Sequence, residues 1–247
     1  MKVKIWRTGL FVVFCSLFQA KCVFAQNVTV VAGLVKPPFI IEENGAGLQL
    51  DLMRKGLNKQ GLGVNFYHAP NGRNITSYQR LNADIILTVE SDYQHPSLYL
   101  SKPYVSYQNV VISLAENDFV IESENDLTNK VVVAFQNAKK YLGKDYRKAI
   151  DYVIDYREIP EQSKQVEMLF LRRTELIVID INIFKYIVKH AENKVLFSKP
   201  YKVHKIFEPQ HFPAAFKSKK MRDQFDQAIS EMRENGEYQQ IINHYIN

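Results

Sequence analysis

The chain has 247 residues, of which 46% are hydrophobic and 23% charged, and its formal net charge is +6 at pH 7. No Pro/Gly/Ser-rich linker or low-complexity tract divides it, so the length fits one large domain or two small ones. Four of the 32 basic residues and none of the 26 acidic ones lie in residues 1–25, which leaves +2 for residues 26–247 and gives nucleic-acid binding no support.

Residues 1–25 are a predicted signal peptide. A basic start precedes an apolar stretch over residues 10–18 that is too short to span a membrane, and residues 23–25 (VFA) offer small side chains at the alternate positions that signal peptidase recognises. We expect cleavage after residue 25 and a periplasmic protein. Both cysteines, Cys15 and Cys22, lie in this segment, so the mature chain is predicted to have no disulfide and no thiol site.

Apolar runs rich in β-branched residues alternate with helical patterns along the mature chain. In chain order, strands are predicted over residues 28–35, 64–67, 84–89, 105–114, 130–135, 152–156 and 175–180. Helices are predicted over residues 48–60, 74–81, 138–150, around 166–170, and over 181–190, 219–234 and 237–245. This alternation indicates an α/β fold with mostly parallel strands.

The common catalytic signatures are missing from the sequence. The six histidines do not fall at metal-ligand spacing. There is no G-x-S-x-G elbow, no phosphate-binding loop and no G-x-G-x-x-G dinucleotide fingerprint. We therefore expect no metal, no cofactor and no catalytic residue.

Four segments carry a resemblance in their order and spacing: PPFIIEENGAGLQLDLM, NADIILTV with LSKPY, ENDLTNKVVVAF, and MRDQFDQAISEMRENGEYQQIINHYI. They resemble the bacterial periplasmic solute-binding proteins of family 3, which are typified by amino-acid binders. The matched elements are the family's Pro-Phe hairpin and first helix, its Phe-Ser-x-Pro-Tyr element, the opening of its second lobe and its terminal helices. The resemblance covers almost the whole mature chain.

This resemblance implies an α/β, type II periplasmic-binding-protein fold: two lobes with mixed, mostly parallel sheets, joined by a hinge of two crossing strands, with the ligand in the cleft between them. It places lobe 1 at residues 26–108 and 206–247, and lobe 2 at residues 109–205. It also implies a monomer that captures a small-molecule solute and presents it to an inner-membrane ABC permease or a membrane sensor.

The family's ligand-binding positions are only partly kept. Counting back from Leu100 puts Gln94 where the family has the arginine that clamps a ligand carboxylate, and glutamine brings no charge. Lys36 stands in the place of a stacking aromatic residue, and Asn137 in the place of a glycine that meets the carboxylate. Asp180 matches the aspartate that binds the ligand amino group; alternatively, it only caps the following helix.

Five further residues are candidates for the cleft. Arg73, in a segment similar to the Pro-Trp-x-Arg of one branch of the family, is a second candidate for the missing positive charge beside the lysine. Glu90 and Asp92 would make the cleft mouth acidic and favour an amine, and Phe39 and Tyr104 are expected on its wall. The alternative for the charged residues is a solvated surface position, and for the two aromatic residues it is the lobe core.

Three functions follow from these observations. The first is a secreted binding protein for a small polar, amine-bearing, amino-acid-like solute. The second is an enzyme on the same fold, because cyclohexadienyl (prephenate/arogenate) dehydratases resemble this family and need only a cleft acid, for which Glu90 or Asp92 would serve if buried. The third is a degenerate relative that acts through protein contacts.

Overall fold

The structure is a computed structural model that describes residues 27–41, 45–70 and 73–246. The predicted signal peptide lies outside these residues. In the described part, the strands in chain order are β1 Asn27–Ala32, β2 Gly63–His68, β3 Ile85–Ile86, β4 Tyr99–Leu100, β5 Val105–Tyr107, β6 Asn109–Leu114, β7 Val131–Phe135, β8 Asp155–Ile159, β9 Leu176–Asp180, β10 Tyr201–His204, β11 Gln210–Phe212 and β12 Ala215–Phe216.

The α-helices of the described residues are α1 Leu48–Asn58, α2 Asn74–Leu81, α3 Ala138–Tyr141, α4 Gly143–Ala149, α5 Gln162–Phe170, α6 Ile181–His190, α7 Lys219–Glu234 and α8 Glu237–Ile246. None of the helices in this part of the chain has the length and apolar character needed to cross a bilayer.

Each lobe is built on a five-stranded mixed sheet. In lobe 1 the strand order is β2-β1-β3-β12-β4, with β1 parallel to β2 and β3, and β12 antiparallel to both of its neighbours. In lobe 2 the order is β10-β6-β9-β7-β8, with β7 parallel to β8 and β9, and β6 antiparallel to β9 and β10. In each sheet four strands therefore run in one direction and a single strand, β12 or β6, runs against them, which confirms the predicted fold class of mixed, mostly parallel sheets.

Two crossing strands join the lobes. β5 pairs antiparallel with β11 in a separate two-stranded sheet. At the next residue, the Gln108 side-chain amide donates to the backbone oxygens of Asn109 and Phe207, at 2.9 and 2.8 Å. These bonds tie the outgoing crossing to the returning one, so Gln108 marks the point at which the chain passes from one lobe to the other.

The core of lobe 1 forms where α1 packs on α7 and the sheet. The helical spacing of Leu48, Leu52, Met53 and Leu57 puts one face of α1 inward, and all four are buried. From α7, Phe225 packs so closely on this face that a Cβ at position 56 would lie 2.7 Å from its ring. Burial of these side chains contributes the main free energy that holds α1 and α7 to lobe 1.

Several predicted element boundaries were wrong. The run over residues 105–114 is two strands, since the chain turns from one sheet to another at Gln108. The helix over residues 138–150 is broken at Gly143, whose φ of 89° is not helical. The predicted strand over residues 152–156 lies further on, as β8, while β1 and β3 end earlier than their apolar runs.

Replacing Gly47 with alanine is expected to lower the free energy of unfolding by about 2–4 kcal/mol, within the range for strained positions and overpacking. Gly47 has φ of 132°, and a Cβ there would lie 2.4 Å from the backbone oxygen of Phe39. Urea unfolding measures the change. Gly61→Ala, also at positive φ but with nothing within 4 Å of the added Cβ, separates backbone strain from the clash. Equal losses in both variants would contradict the steric argument.

Candidate functional site

Asp180 lies where the two lobes meet. It is the last residue of β9, it pairs in register with Asn109 at the start of β6, and only 3% of its surface is exposed. Its Oδ1 accepts from the backbone N–H groups of Asn182 and Ile183, at 2.9 and 3.1 Å, which makes it the N-cap of α6. Its Oδ2 accepts from the N–H of Gln108 at 2.7 Å. One carboxylate therefore holds both a lobe 2 helix and the hinge.

Burial raises the pKa of Asp180 to about 6, against the lowering effect of its three N–H donors and of Lys36. The pKa of Asp180 is higher in the folded chain than in the unfolded chain, so between pH 4 and 6 the folded chain holds a proton that the unfolded chain has lost. The contribution of Asp180 to the free energy of unfolding is therefore fully present below pH 4 and is lost as the pH rises through 6. Wild type is expected to lose up to about 3 kcal/mol relative to Asp180→Asn between pH 4 and 7. Chemical unfolding of both proteins at each pH checks this; parallel profiles would contradict it.

Lys36 reaches the same region from lobe 1. It follows β1, in a turn where its N–H donates to the oxygen of Ile40 at 2.9 Å and its own oxygen accepts from Phe39 and Ile40. Its Nζ lies 4.2 Å from the centroid of the Tyr107 ring. Among the described residues, this Nζ makes no hydrogen bond and no ion pair. Burial lowers the pKa of Lys36 to about 8, and the negative charge of Asp180 opposes this shift.

A buried polar chain connects this lysine to the core of lobe 1. The Tyr107 hydroxyl donates to Oε1 of Gln49 at 3.0 Å, and Nε2 of Gln49 donates to the Tyr104 hydroxyl, also at 3.0 Å, and to Thr88. The Tyr104 hydroxyl then donates to the backbone oxygen of Leu87 at 2.7 Å. All three long side chains are buried, so the ring under Lys36 has a fixed position.

No family model matches the sequence, and no curated protein matches it. Solved structures do match. The GluR0 ligand-binding core in complex with L-glutamate is 17% identical, with a TM-score of 0.72, and the match covers 91% of this chain and 100% of that one. An ancestral arginine-binding protein bound to arginine is 20% identical, with a TM-score of 0.67 and coverage of 90% and 98%.

The chain has the two-lobed periplasmic-binding-protein fold. A third structure with this fold is an ancestral amino-acid-binding protein described as a precursor of cyclohexadienyl dehydratase; it is 16% identical, with a TM-score of 0.67, and the match covers 90% of this chain and 95% of that one. At these identities the similarity establishes the periplasmic-binding-protein fold and leaves the ligand to be argued from the residues of the cleft.

The cleft of this periplasmic-binding-protein fold brings together only part of the predicted site. Lys36 and Asp180 lie within electrostatic range of each other, and Tyr107 contacts the lysine. The Phe39 ring lies 4.1 Å from the Tyr107 ring, and Phe39 and Tyr104 are 1% and 0% exposed, so both belong to the lobe core beneath the cleft.

The loop after β3 contacts the buried polar chain through Thr88, but among the described residues none of its predicted site residues bonds to Lys36 or Asp180. Gln94 and Asp92 are exposed, and Arg73 is exposed where α2 begins. Glu90 is also exposed, and its carboxylate pairs with Lys140 of lobe 2 at 3.2 Å. Asn137 has φ of 66°, is exposed, and donates its N–H to the carboxylate of Glu158 at 2.7 Å. Of the predicted cations, Lys36 is the one that the described residues bring near Asp180 and Tyr107.

Three residues of the site were missed by the sequence reasoning. Tyr107 and Gln108 lie in the middle of an apolar run whose sequence predicts a single strand, and Gln49 lies on the buried face of α1. A glutamine among the inward positions of an amphipathic helix was the available signal, because a buried amide requires partners.

Replacing Lys36 with methionine is expected to stabilise the unliganded protein by about 1 kcal/mol, which raises the thermal midpoint by about 2–4 °C. The lowered pKa means that the fold disfavours the charged lysine, whereas methionine packs on Tyr107 without a charge. Thermal unfolding at pH 7 measures the difference, with the exposed Lys220→Met as the matched control. A lower midpoint for Lys36→Met alone would mean that attraction by Asp180 and the Tyr107 ring exceeds the cost of burial.

Proposed function

We propose that this chain is a secreted, periplasmic solute-binding protein that captures a small polar, amine-bearing, amino-acid-like solute between its lobes. The observation that carries the proposal is the buried Asp180 carboxylate at the meeting point of the lobes, with the Lys36 cation of lobe 1 within electrostatic range of it. A zwitterion complements such a pair, since its ammonium faces the acid and its carboxylate faces the lysine.

The position of Asp180 also supports a mechanism for closure. Its carboxylate is bonded to Gln108, the residue at which the crossing strand enters lobe 2, and it caps α6 of that lobe. A solute bound to it and to lobe 1 would contact both lobes, so its binding free energy would favour the closed state. The closed form would then be presented to an ABC permease or a membrane sensor.

The experiment is thermal unfolding of the predicted mature chain, residues 26–247, with amino acids, polyamines, dipeptides and small carboxylates. A solute at a hundred times its dissociation constant adds about 2.7 kcal/mol to the free energy of unfolding. Each kcal/mol moves the midpoint by about 2–4 °C. A stabilising solute should also reduce the radius of gyration in X-ray scattering. A chain that no solute stabilises or closes would favour the degenerate relative that acts through protein contacts.

A dehydratase is the second candidate, and one observation favours it. Asp180 is a buried cleft acid whose pKa is raised to about 6, as general acid catalysis near neutral pH requires. The acids first considered for this role, Glu90 and Asp92, are exposed and lack the burial that the hypothesis needs. Turnover of prephenate or arogenate that is lost in Asp180→Asn would support the enzyme; no turnover of either compound would remove it.

A further inference from the structure

Among the described residues, Asp180 has most of its hydrogen-bonding capacity filled, whereas the ammonium group of Lys36 has none of its donors paired. A carboxylate has about four acceptor positions. Asp180 already uses three of them, for the N–H groups of Asn182, Ile183 and Gln108 at 2.7–3.1 Å. About one acceptor position of Asp180 is left for a donor from a solute. An amine would therefore bind to a carboxylate whose other acceptor positions are already occupied by the protein.

Lys36, in contrast, has hydrogen-bond donors that are not paired with described residues. An ammonium group has three N–H donors and no acceptor capacity. Tyr107 provides the face of its ring, which attracts the charge but accepts no conventional hydrogen bond, and its hydroxyl is engaged with Gln49. Within the described ranges, no carboxylate or carbonyl oxygen bonds to Nζ of Lys36. A partly buried ammonium without an acceptor is costly, and a solute that brings an anion would remove that cost.

We propose that Lys36 is the anion-binding residue of the cleft and that a carboxylate, rather than an amine, is the group of the solute that contributes most to binding. This proposal rests on the proposed function, because it concerns the same site. It adds that the carboxylate of the solute contributes more to binding than the amine does. The class of solute then includes carboxylic acids that have no amine, and it disfavours polyamines.

The other candidate cations support this assignment. Arg73 is exposed at the start of α2, and Lys140 of lobe 2 is paired with Glu90 at 3.2 Å. Gln94, in the position where a charged clamp is expected, is exposed as well. Lys36 combines three N–H donors that no described residue accepts from, a fixed ring beneath it and proximity to Asp180.

The test compares three compounds that differ in one group each: histidine, histamine, which lacks the carboxylate, and imidazolepropionate, which lacks the amine. A second set is arginine, agmatine and 5-guanidinopentanoate. Calorimetric titration of the mature chain is expected to show at least tenfold weaker binding on loss of the carboxylate, as for a hydrogen bond to a charged group, and a smaller loss on removal of the amine. Lys36→Met should abolish the preference for the carboxylate, Lys36→Arg should keep it, and Lys220→Met should leave it unchanged.

A measurement on the wild-type protein avoids any dependence on the folding of the variants. Asp180 and Tyr107 are the titratable groups that the described residues place against Lys36. A bound carboxylate would raise the lysine pKa from its lowered value, so binding near pH 8 should take up protons. Titration in buffers of different ionisation enthalpy measures this uptake.

Proton uptake that accompanies the acids would support the proposal. Equal binding of the amines and the acids, or a carboxylate preference that survives in Lys36→Met, would overturn it. Tight binding of histamine or agmatine that depends on Asp180 would overturn this proposal and leave the proposed function intact. Failure of all six compounds to bind would count against both.

Discussion

Replacing Asp180 with alanine is expected to lower the free energy of unfolding by about 3 kcal/mol and to weaken the binding of amine-bearing solutes. The substitution deletes the cap of α6, which is worth about 0.5–2 kcal/mol. It also leaves the N–H of Gln108 without its partner at a buried hinge position, which costs about 1–3 kcal/mol. The gain from removing a buried charge offsets part of this loss, because the raised pKa shows that the fold disfavours the ionised form.

Urea unfolding and calorimetric titration measure the two effects of Asp180→Ala separately. Ser218→Ala is the matched control, because the Ser218 hydroxyl caps α7 through the N–H of Met221 at 3.3 Å and has no contact with the hinge. We expect Ser218→Ala to lower the free energy of unfolding by about 1 kcal/mol and to leave solute binding unchanged. A loss no larger in Asp180→Ala than in Ser218→Ala would show that the bond to Gln108 contributes nothing to stability.

Replacing Gln49 with leucine is expected to lower the free energy of unfolding by about 3 kcal/mol and to weaken solute binding. Leucine has a similar size but leaves the Tyr107 hydroxyl without its acceptor and the Tyr104 hydroxyl without its donor, both in a dry core. The Tyr107 ring would then no longer be fixed by its hydroxyl. Since that ring lies beneath Lys36, the lysine is expected to lose its position at the cleft.

Gln165→Leu provides a close control for this prediction. Gln165 is a fully buried glutamine of α5 in lobe 2, and its Nε2 donates to the backbone oxygens of Val133 and Val178 at 2.9 and 2.8 Å. Replacing Gln165 should destabilise the protein by a comparable amount, because the buried backbone oxygens of Val133 and Val178 would lose a hydrogen-bond donor. Solute affinity should fall only in Gln49→Leu. Equal affinities in the two folded variants would contradict the link between Gln49 and the cleft.

The fold was predictable because local patterns and global architecture agree. α2 matches its predicted span, and α1 buries the residues whose spacing predicted it. The errors lie where tertiary contacts decide. Nothing local indicates that Gln108 interrupts an apolar run, since its amide partners are Asn109 and the distant Phe207. The break at Gly143 likewise depends on a backbone angle that the surrounding helical residues do not reveal.

The site was less predictable than the fold. The two interpretations of Asp180 were a helix cap or a ligand residue; the cap is present, and the ligand role stays a prediction. Lys36 was one of several candidate cations, and its distinction comes from Tyr107, which a different segment brings beneath it. Sequence spacing finds residues that share an element, whereas a cleft between lobes combines segments that are far apart in the chain.

The order of segments along the chain has a consequence for how the protein forms. All five strands of the lobe 2 sheet come from one continuous stretch, β6 to β10, whereas the lobe 1 sheet needs β12 from near the end of the chain. The Tyr245 hydroxyl of α8 further bonds to Asp51 and to the N–H of Gly47. During synthesis, the middle of the chain can therefore complete its lobe before the earlier segment has its last strand and helices, the reverse of the usual N-terminal-first order.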